Sequence, residues 1–248
     1  MSPRVQIALL AAALLFIAAT SAQTQQTYGV SGDDSYRIGT ALPTTTIAYA
    51  GTQRLVIAKQ GPNRRYTAEA NYTRMDQAGK ASVRARFVQR LTKAGSFEDL
   101  TDGDPDFLTI LNQPFAIQLD PTTMGDLRSM RRSVPFQAES PLGGSTLHGF
   151  LRPQPGGKIN GRDAVGILFE ANGPMTGPLP QHPEAAIAGT IRMSGTAYYA
   201  LHGALLLALD ATLTITGNLV NHADAVPVKI VYHRTIRAAP SNLSQTQP

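Results

Sequence analysis

Cysteine and tryptophan are both missing from the 248 residues. Without cysteine the chain has no disulfide, no thiolate metal site, no thioether-linked haem, no cysteine nucleophile and no cysteine to carry a lipid. Stability must therefore come from core burial rather than from covalent staples. The lack of tryptophan removes any lipocalin-type G-x-W signature. Charge is sparse and only mildly unbalanced, with 22 Lys and Arg against 17 Asp and Glu, a formal net of +5. After the first 22 residues, no apolar run is long enough for a membrane-spanning helix.

Catalytic motifs are absent as well. There is no G-x-S-x-G nucleophile elbow, and Gly143-Gly144-Ser145 is explained as a turn before a strand. The five histidines, His148, His182, His202, His222 and His233, are too far apart in sequence for a local zinc motif. Gly156-Gly157-Lys158 lacks the spaced glycines and the Ser or Thr of a phosphate loop. Nothing matches an RNA-binding motif, so nucleic acid is not an expected partner. Glu170 and Asp210, on the polar faces of neighbouring predicted strands, are the carboxylates to inspect for glycoside hydrolysis, which needs two acids about 5–9.5 Å apart. A solvated sheet face accounts for them better than catalysis does. No catalytic residue, metal ligand or cofactor site follows from the sequence.

What is present begins with an address. Arg4, the apolar run Val5 to Ala19 and Thr20-Ser21-Ala22 ahead of Gln23 have the form of a secretory signal peptide with a small-residue cleavage site. The expectation is a periplasmic or secreted bacterial protein, cleaved after Ala22, leaving 226 residues. Residues 23–34 and 238–248, rich in Gln, Thr, Ser and Gly or Pro, read as disordered tails flanking one domain over 35–237.

Within that domain the dominant period is two. Tyr66, Ala68, Ala70 and Tyr72 alternate with Thr67, Glu69, Asn71 and Thr73, and a turn at Asp76-Gln77-Ala78-Gly79 leads to Val83, Ala85 and Phe87 alternating with Arg84, Arg86 and Arg90. This predicts a hairpin with an apolar inner face and a basic outer one. A strand through Leu147 and Leu151 is read to end at Arg152, with Pro155-Gly156-Gly157 and Asn160-Gly161 as turns before Val165, Ile167 and Phe169. Gly173 to Pro180 reads as a Pro-stiffened loop that crosses between strands or serves as a lid. Further alternation runs through Ile187, Ile191, Met193 and Tyr199, then after His202-Gly203 through Leu205 to Ile215, then from Val226 to Tyr232. A strand over 203–217 would span about 45–50 Å, a length that favours curling. The fold class is mainly β, a long-stranded antiparallel sheet curled into a half-barrel or barrel. One short helix is predicted from the N-cap Asp120 and Pro121 through Met124, Leu127 and Met130, ending among Arg128, Arg131 and Arg132.

The stretch GTIRMSGTAYYALHGALLLALDATLTITG, with the earlier VPFQAESPLGG, resembles exported bacterial β-rich proteins of unassigned function. At the level of architecture the pattern is similar to periplasmic lipid-carrier half-barrels, in which helices close over an apolar concave sheet. That resemblance implies export and fold, with no catalytic residue to carry over. Three functions remain. The first is a non-catalytic carrier of a lipid or other apolar or amphiphilic ligand, lined by Ile191, Met193, Leu205, Leu207 and Leu209 with Met124 and Leu127 at its mouth. The second is an envelope structural or interaction module whose Arg84, Arg86 and Arg90 face meets an acidic partner. A hydrolase comes third.

Overall fold

Among the described residues, alternation of apolar and polar side chains builds eleven strands, and one short helix joins them. The computed structural model describes residues 23–91, 97–99, 117–139, 145–179, 182–221 and 224–240. In chain order the elements are β1 (Thr24–Ile38), β2 (Thr45–Gln60), β3 (Asn63–Asp76), β4 (Gly79–Leu91), β5 (Phe97–Asp99), α1 (Pro121–Ser129), β6 (Val134–Glu139), β7 (Thr146–Ile159), β8 (Arg162–Leu179), β9 (His182–Ala200), β10 (Leu206–Asn221) and β11 (Asp224–Ala238). All strands join one antiparallel sheet in the order β5-β4-β3-β2-β1-β11-β10-β9-β8-β7-β6. The chain starts at the centre, walks to one edge, crosses to the other edge through the segment carrying α1, and meanders back so that β11 closes against β1 over Tyr28 to Ile38. The expected mainly β, curled antiparallel sheet is what forms, and no hydrogen bonds join β5 to β6 among the described residues.

Side-chain contacts across the sheet reveal the curl. Arg162 of β8 donates to Gln26 Oε1 of β1 at 2.9 Å, although β9, β10 and β11 lie between those strands. On a flat sheet four strand spacings would separate them by about 19 Å. Asn160, in the β7–β8 turn, likewise reaches the Ala238 carbonyl of β11. Inward glycines permit this bending. A Cβ on Gly32 would lie 2.2 Å from the His233 carbonyl oxygen, and one on Gly189, the cross-strand partner of Gly217, would lie 2.2 Å from the Thr216 carbonyl oxygen. Neighbouring backbones come this near only where the strand coils sharply.

The core occupies the concave face. Tyr28, Leu55, Tyr66, Phe169, Ile191 and Leu209 come from six strands and are fully buried in one cluster. Residues 117–119 run beside the start of β10, with Leu119 N–H donating to Ala204 O and Leu206 N–H to Ile117 O. They deliver α1, where the predicted cap forms: Asp120 accepts from the Thr122 and Thr123 backbone N–H groups, and Met124 and Leu127 are buried.

Several boundaries differ from expectation. Residues 24–34 are strand, not a disordered tail, because Gln26, Tyr28, Val30 and Asp34 share one inward register and both sides of β1 are paired. At the other terminus β11 continues to a buried Ala238; residues 241–248 lie outside the described residues, as does the signal segment 1–22. β7 passes Arg152 and reaches Ile159, with a bulge between Gln154 and Gly157 where a turn was expected; the Asn160-Gly161 turn forms as read. Gly173 to Pro178 is not a loop but the end of β8, paired with β9. Pairing of β7 with β6 stops at Leu151 and pairing of β8 with β7 stops at Asn172, so among the described residues Pro153, Pro155, Pro174 and Pro178 each have a side without a ladder to break.

Candidate functional site

Period-two alternation aims every second side chain into the curl, and almost all of those positions are apolar. Gln26 and Gln53 are buried polar exceptions nearer the start of β1, and the two charged exceptions meet each other. On β1 the inward register runs Tyr28, Val30, Gly32, Asp34, Tyr36, and on β11 it runs Tyr232, Arg234, Ile236. Asp34 and Arg234 are 0% and 2% exposed. Because Gly32 has no side chain, the Arg234 guanidinium crosses β1, and its Nη1 donates to Asp34 Oδ1 at 2.5 Å. Tyr49 of β2 donates its hydroxyl to Asp34 Oδ2 at 3.0 Å, and Tyr36 approaches the same oxygen at 3.4 Å. Arg234 also stacks on rings to either side, 5.3 Å from the Tyr49 centroid and 5.7 Å from that of Tyr232.

Burial is the largest influence on the ionisation of this cluster. It raises the Asp34 carboxyl above the usual range, opposed in turn by Arg234, Tyr49 and Tyr36. Burial likewise pushes the Tyr36 and Tyr232 phenols up, so both remain neutral donors. Removing two charges from water costs several kcal/mol per ion, so an interior that needed only filling would use apolar side chains here.

The two ends of the curl differ. Where β1 begins, the sheet is tied across itself by Arg162 to Gln26, by Asn160 to Ala238, and by Gln118, which accepts from Arg64 Nη1 at 2.8 Å and donates to Gly203 O at 2.8 Å. Where β1 ends, Ile38, Leu42, Met75 and Val220 are exposed. Ile38 continues the inward register of β1 and Leu42 lies just beyond it, whereas Met75 and Val220 stand on the outward registers of β3 and β10, so among the described residues the apolar rim of the curl is Ile38 with Leu42. Along β1 the same register runs from exposed Ile38 through half-buried Tyr36 to fully buried Asp34.

The residues expected to line a ligand space come together. Ile191, Met193, Leu205, Leu207 and Leu209 are all buried in the apolar cluster, and Met124 and Leu127 of α1 join it. They lie at most 5% exposed, and since the other residues of α1 are exposed, the helix covers the tied end of the curl with one face. On the outer face Arg84 and Arg86 are exposed and Arg90 is half-buried, with Glu69 directly opposite Arg86 and 3.9 Å from Arg54.

Glu170 and Asp210 do share a shallow outer cavity of about 320 Å³ with Ser194 and Thr196 between them. They stand two strands and two register positions apart, with backbones separated by roughly 12 Å from strand spacing and rise. Each is engaged: Glu170 accepts from Arg192, and Asp210 lies 3.3 Å from His233, whose other ring nitrogen is 3.3 Å from Asp33. A second outer cavity of about 690 Å³ between β6, β7 and β8 is lined by Phe136, His148, Phe150 and Arg152 among others. His202 is exposed in its turn, the side chain of His182 and all of His222 fall outside the described residues, and no cluster of three or more potential metal ligands occurs among those described.

Sequence reading missed the Asp34–Arg234 cluster. The detectable signal was a charge falling on the apolar register of each strand: Arg234 follows Val228, Ile230 and Tyr232 at steps of two, as Asp34 follows Tyr28 and Val30. Neither a protein-family model nor a curated relative matches this chain.

Proposed function

We propose that the protein is an exported carrier that holds an apolar or amphiphilic ligand within the curl of its sheet. The observation that supports this reading most is the asymmetry of the two ends. Side-chain hydrogen bonds tie the sheet at one end, while Ile38 and Leu42 remain in water at the other. An unclosed sheet can widen at the end where β1 finishes without breaking a ladder among the described residues, and apolar side chains there lower the cost of passing an apolar chain from a membrane to the interior. Leu205, Leu207 and Leu209 would then contact the ligand, with Met124 and Leu127 flooring the space. The signal-like leader is consistent with a location in the periplasm or beyond.

The test is native mass spectrometry of protein purified from the envelope, with solvent extraction of whatever travels with it. A reproducible lipid-sized adduct, lost in a folded Leu207→Asp variant, is the expected result. A bare mass that persists after incubation with envelope lipids would overturn the reading.

One observation favours a second reading, an interaction module for an acidic partner: Arg84, Arg86, Arg54 and Lys80 are all exposed on the outer side of β2 to β4. Charge complementarity of this kind steers association and is screened by salt. Loss of partner capture in Arg84→Glu/Arg86→Glu, with no lipid found in the wild-type protein, would favour it over the carrier.

A further inference from the structure

We infer that the interior cluster is a receptor for the head group of an anionic amphiphile, best matched to a carboxylate, which takes over the donors that Asp34 holds. This rests on the carrier reading and names its ligand class. Three strands supply donors that converge on one carboxylate: Arg234 Nη1 on Oδ1, with the Tyr49 and Tyr36 hydroxyls on Oδ2. A guanidinium with two phenols matches the planar, acceptor-only geometry of a carboxylate, and charge-assisted bonds of this type are about twice as strong as neutral ones. The receptor is rigid, because Arg234 is held between the rings of Tyr49 and Tyr232.

The present occupant is a poor one. Burial disfavours the charge on Asp34, and its side chain brings no apolar surface of its own to the interior. A ligand carboxylate attached to a hydrocarbon tail would take the same donors and add burial of the tail, worth about 0.8 kcal/mol per CH₂. The site is also placed for access. Tyr36 and then Ile38 lead from it to the apolar rim in about 13 Å of strand, whereas Gln26, at the tied end, is about 26 Å away. A head group at Arg234 leaves the tail to run inward over Leu209 and Leu207.

The experiment uses delipidated full-length mature protein and two twelve-carbon probes, dodecanoate and dodecanol, titrated separately by calorimetry at pH 8. Dodecanoate is expected to bind at least about tenfold more tightly, and Arg234→Met is expected to abolish that preference while dodecanol still binds. Equal affinities in the wild type, or a preference that survives Arg234→Met, would overturn the receptor and leave the carrier standing. Binding of neither probe would remove the carrier reading itself. Should Arg234→Met fail to fold, Asp34→Asn provides the same test from the other side. It leaves the donors facing an uncharged amide, so sodium acetate should raise its unfolding midpoint by several degrees over sodium chloride at equal ionic strength, with no such difference in the wild type. An Asp34→Asn protein indifferent to acetate would overturn the receptor.

Discussion

Replacing Arg234 by methionine should be among the most destabilising single changes in this protein. The substitution nearly conserves volume, so little cavity is created, and the loss is electrostatic. It strands the Asp34 carboxylate, 0% exposed, with only the Tyr49 and Tyr36 hydroxyls as charge-neutral donors. Breaking a buried pair in this way costs about 3–5 kcal/mol, whereas replacing both members by apolar groups is commonly neutral or stabilising by about 1–4 kcal/mol. Arg234→Met should therefore lower the unfolding midpoint by roughly 6–20 °C for a chain of this size, and Asp34→Leu/Arg234→Met should recover most of the loss. The assay is reversible urea unfolding at pH 7 followed by circular dichroism, because without tryptophan the intrinsic fluorescence comes only from tyrosine. Acidification provides an internal check. A carboxyl whose folded-state pKa is raised above its ordinary 3.8 contributes stability that is complete below that value and lost as pH rises through the folded pKa. Arg234→Met should thus regain stability relative to wild type as pH falls from 7 toward 4. A cost under about 1 kcal/mol, or a double variant as unstable as the summed singles, would refute the account of a desolvated, coupled pair.

Three other outcomes follow from the same geometry. Burial raises the phenols of Tyr28, Tyr36 and Tyr199, so ultraviolet titration of the folded protein should leave these three un-ionised at pH 11; the stability they confer is complete below about pH 10 and declines above it, and full ionisation of all eight tyrosines with the fold intact would contradict this. Gly32→Ala should destabilise by about 1–3 kcal/mol because its Cβ meets the His233 carbonyl and the Arg234 side chain, and a stability unchanged in urea would show that the strands separate freely there. Asp120→Ala should cost about 1 kcal/mol through loss of the helix cap, while Thr122→Ala, whose side chain takes no part in the cap, should not; equal costs would remove the cap as the cause.

Much of the sheet was legible because alternation is a local property. The β3–β4 hairpin, its Asp76 to Gly79 turn and the capped helix at Asp120-Pro121 each announce themselves within a few residues. β1 did not, since its outward positions are Gln, Thr, Gly and Ser and the inward Tyr28, Val30 and Tyr36 are too few to outweigh them by composition. Proline misled at the ends of β7 and β8, where its missing donor signals a break only if both neighbours are present. The interior site was illegible for a different reason. A charge in an apolar register is informative only together with its partner, and Asp34 and Arg234 lie 200 positions apart.

That separation bears on how the protein comes to be folded. β1 is the earliest strand of the described chain, yet one of its two neighbours is the latest, so the sheet stays split through its middle until β11 arrives. Until then β1 and β10 each present an unpaired ladder of backbone donors and acceptors, the state most prone to pair with another molecule. Contacts so distant in sequence also slow the search for the native arrangement. A chain synthesised from its N-terminus would hold this open seam until its last strand is made, and the Asp34–Arg234 bond would mark the moment the seam closes.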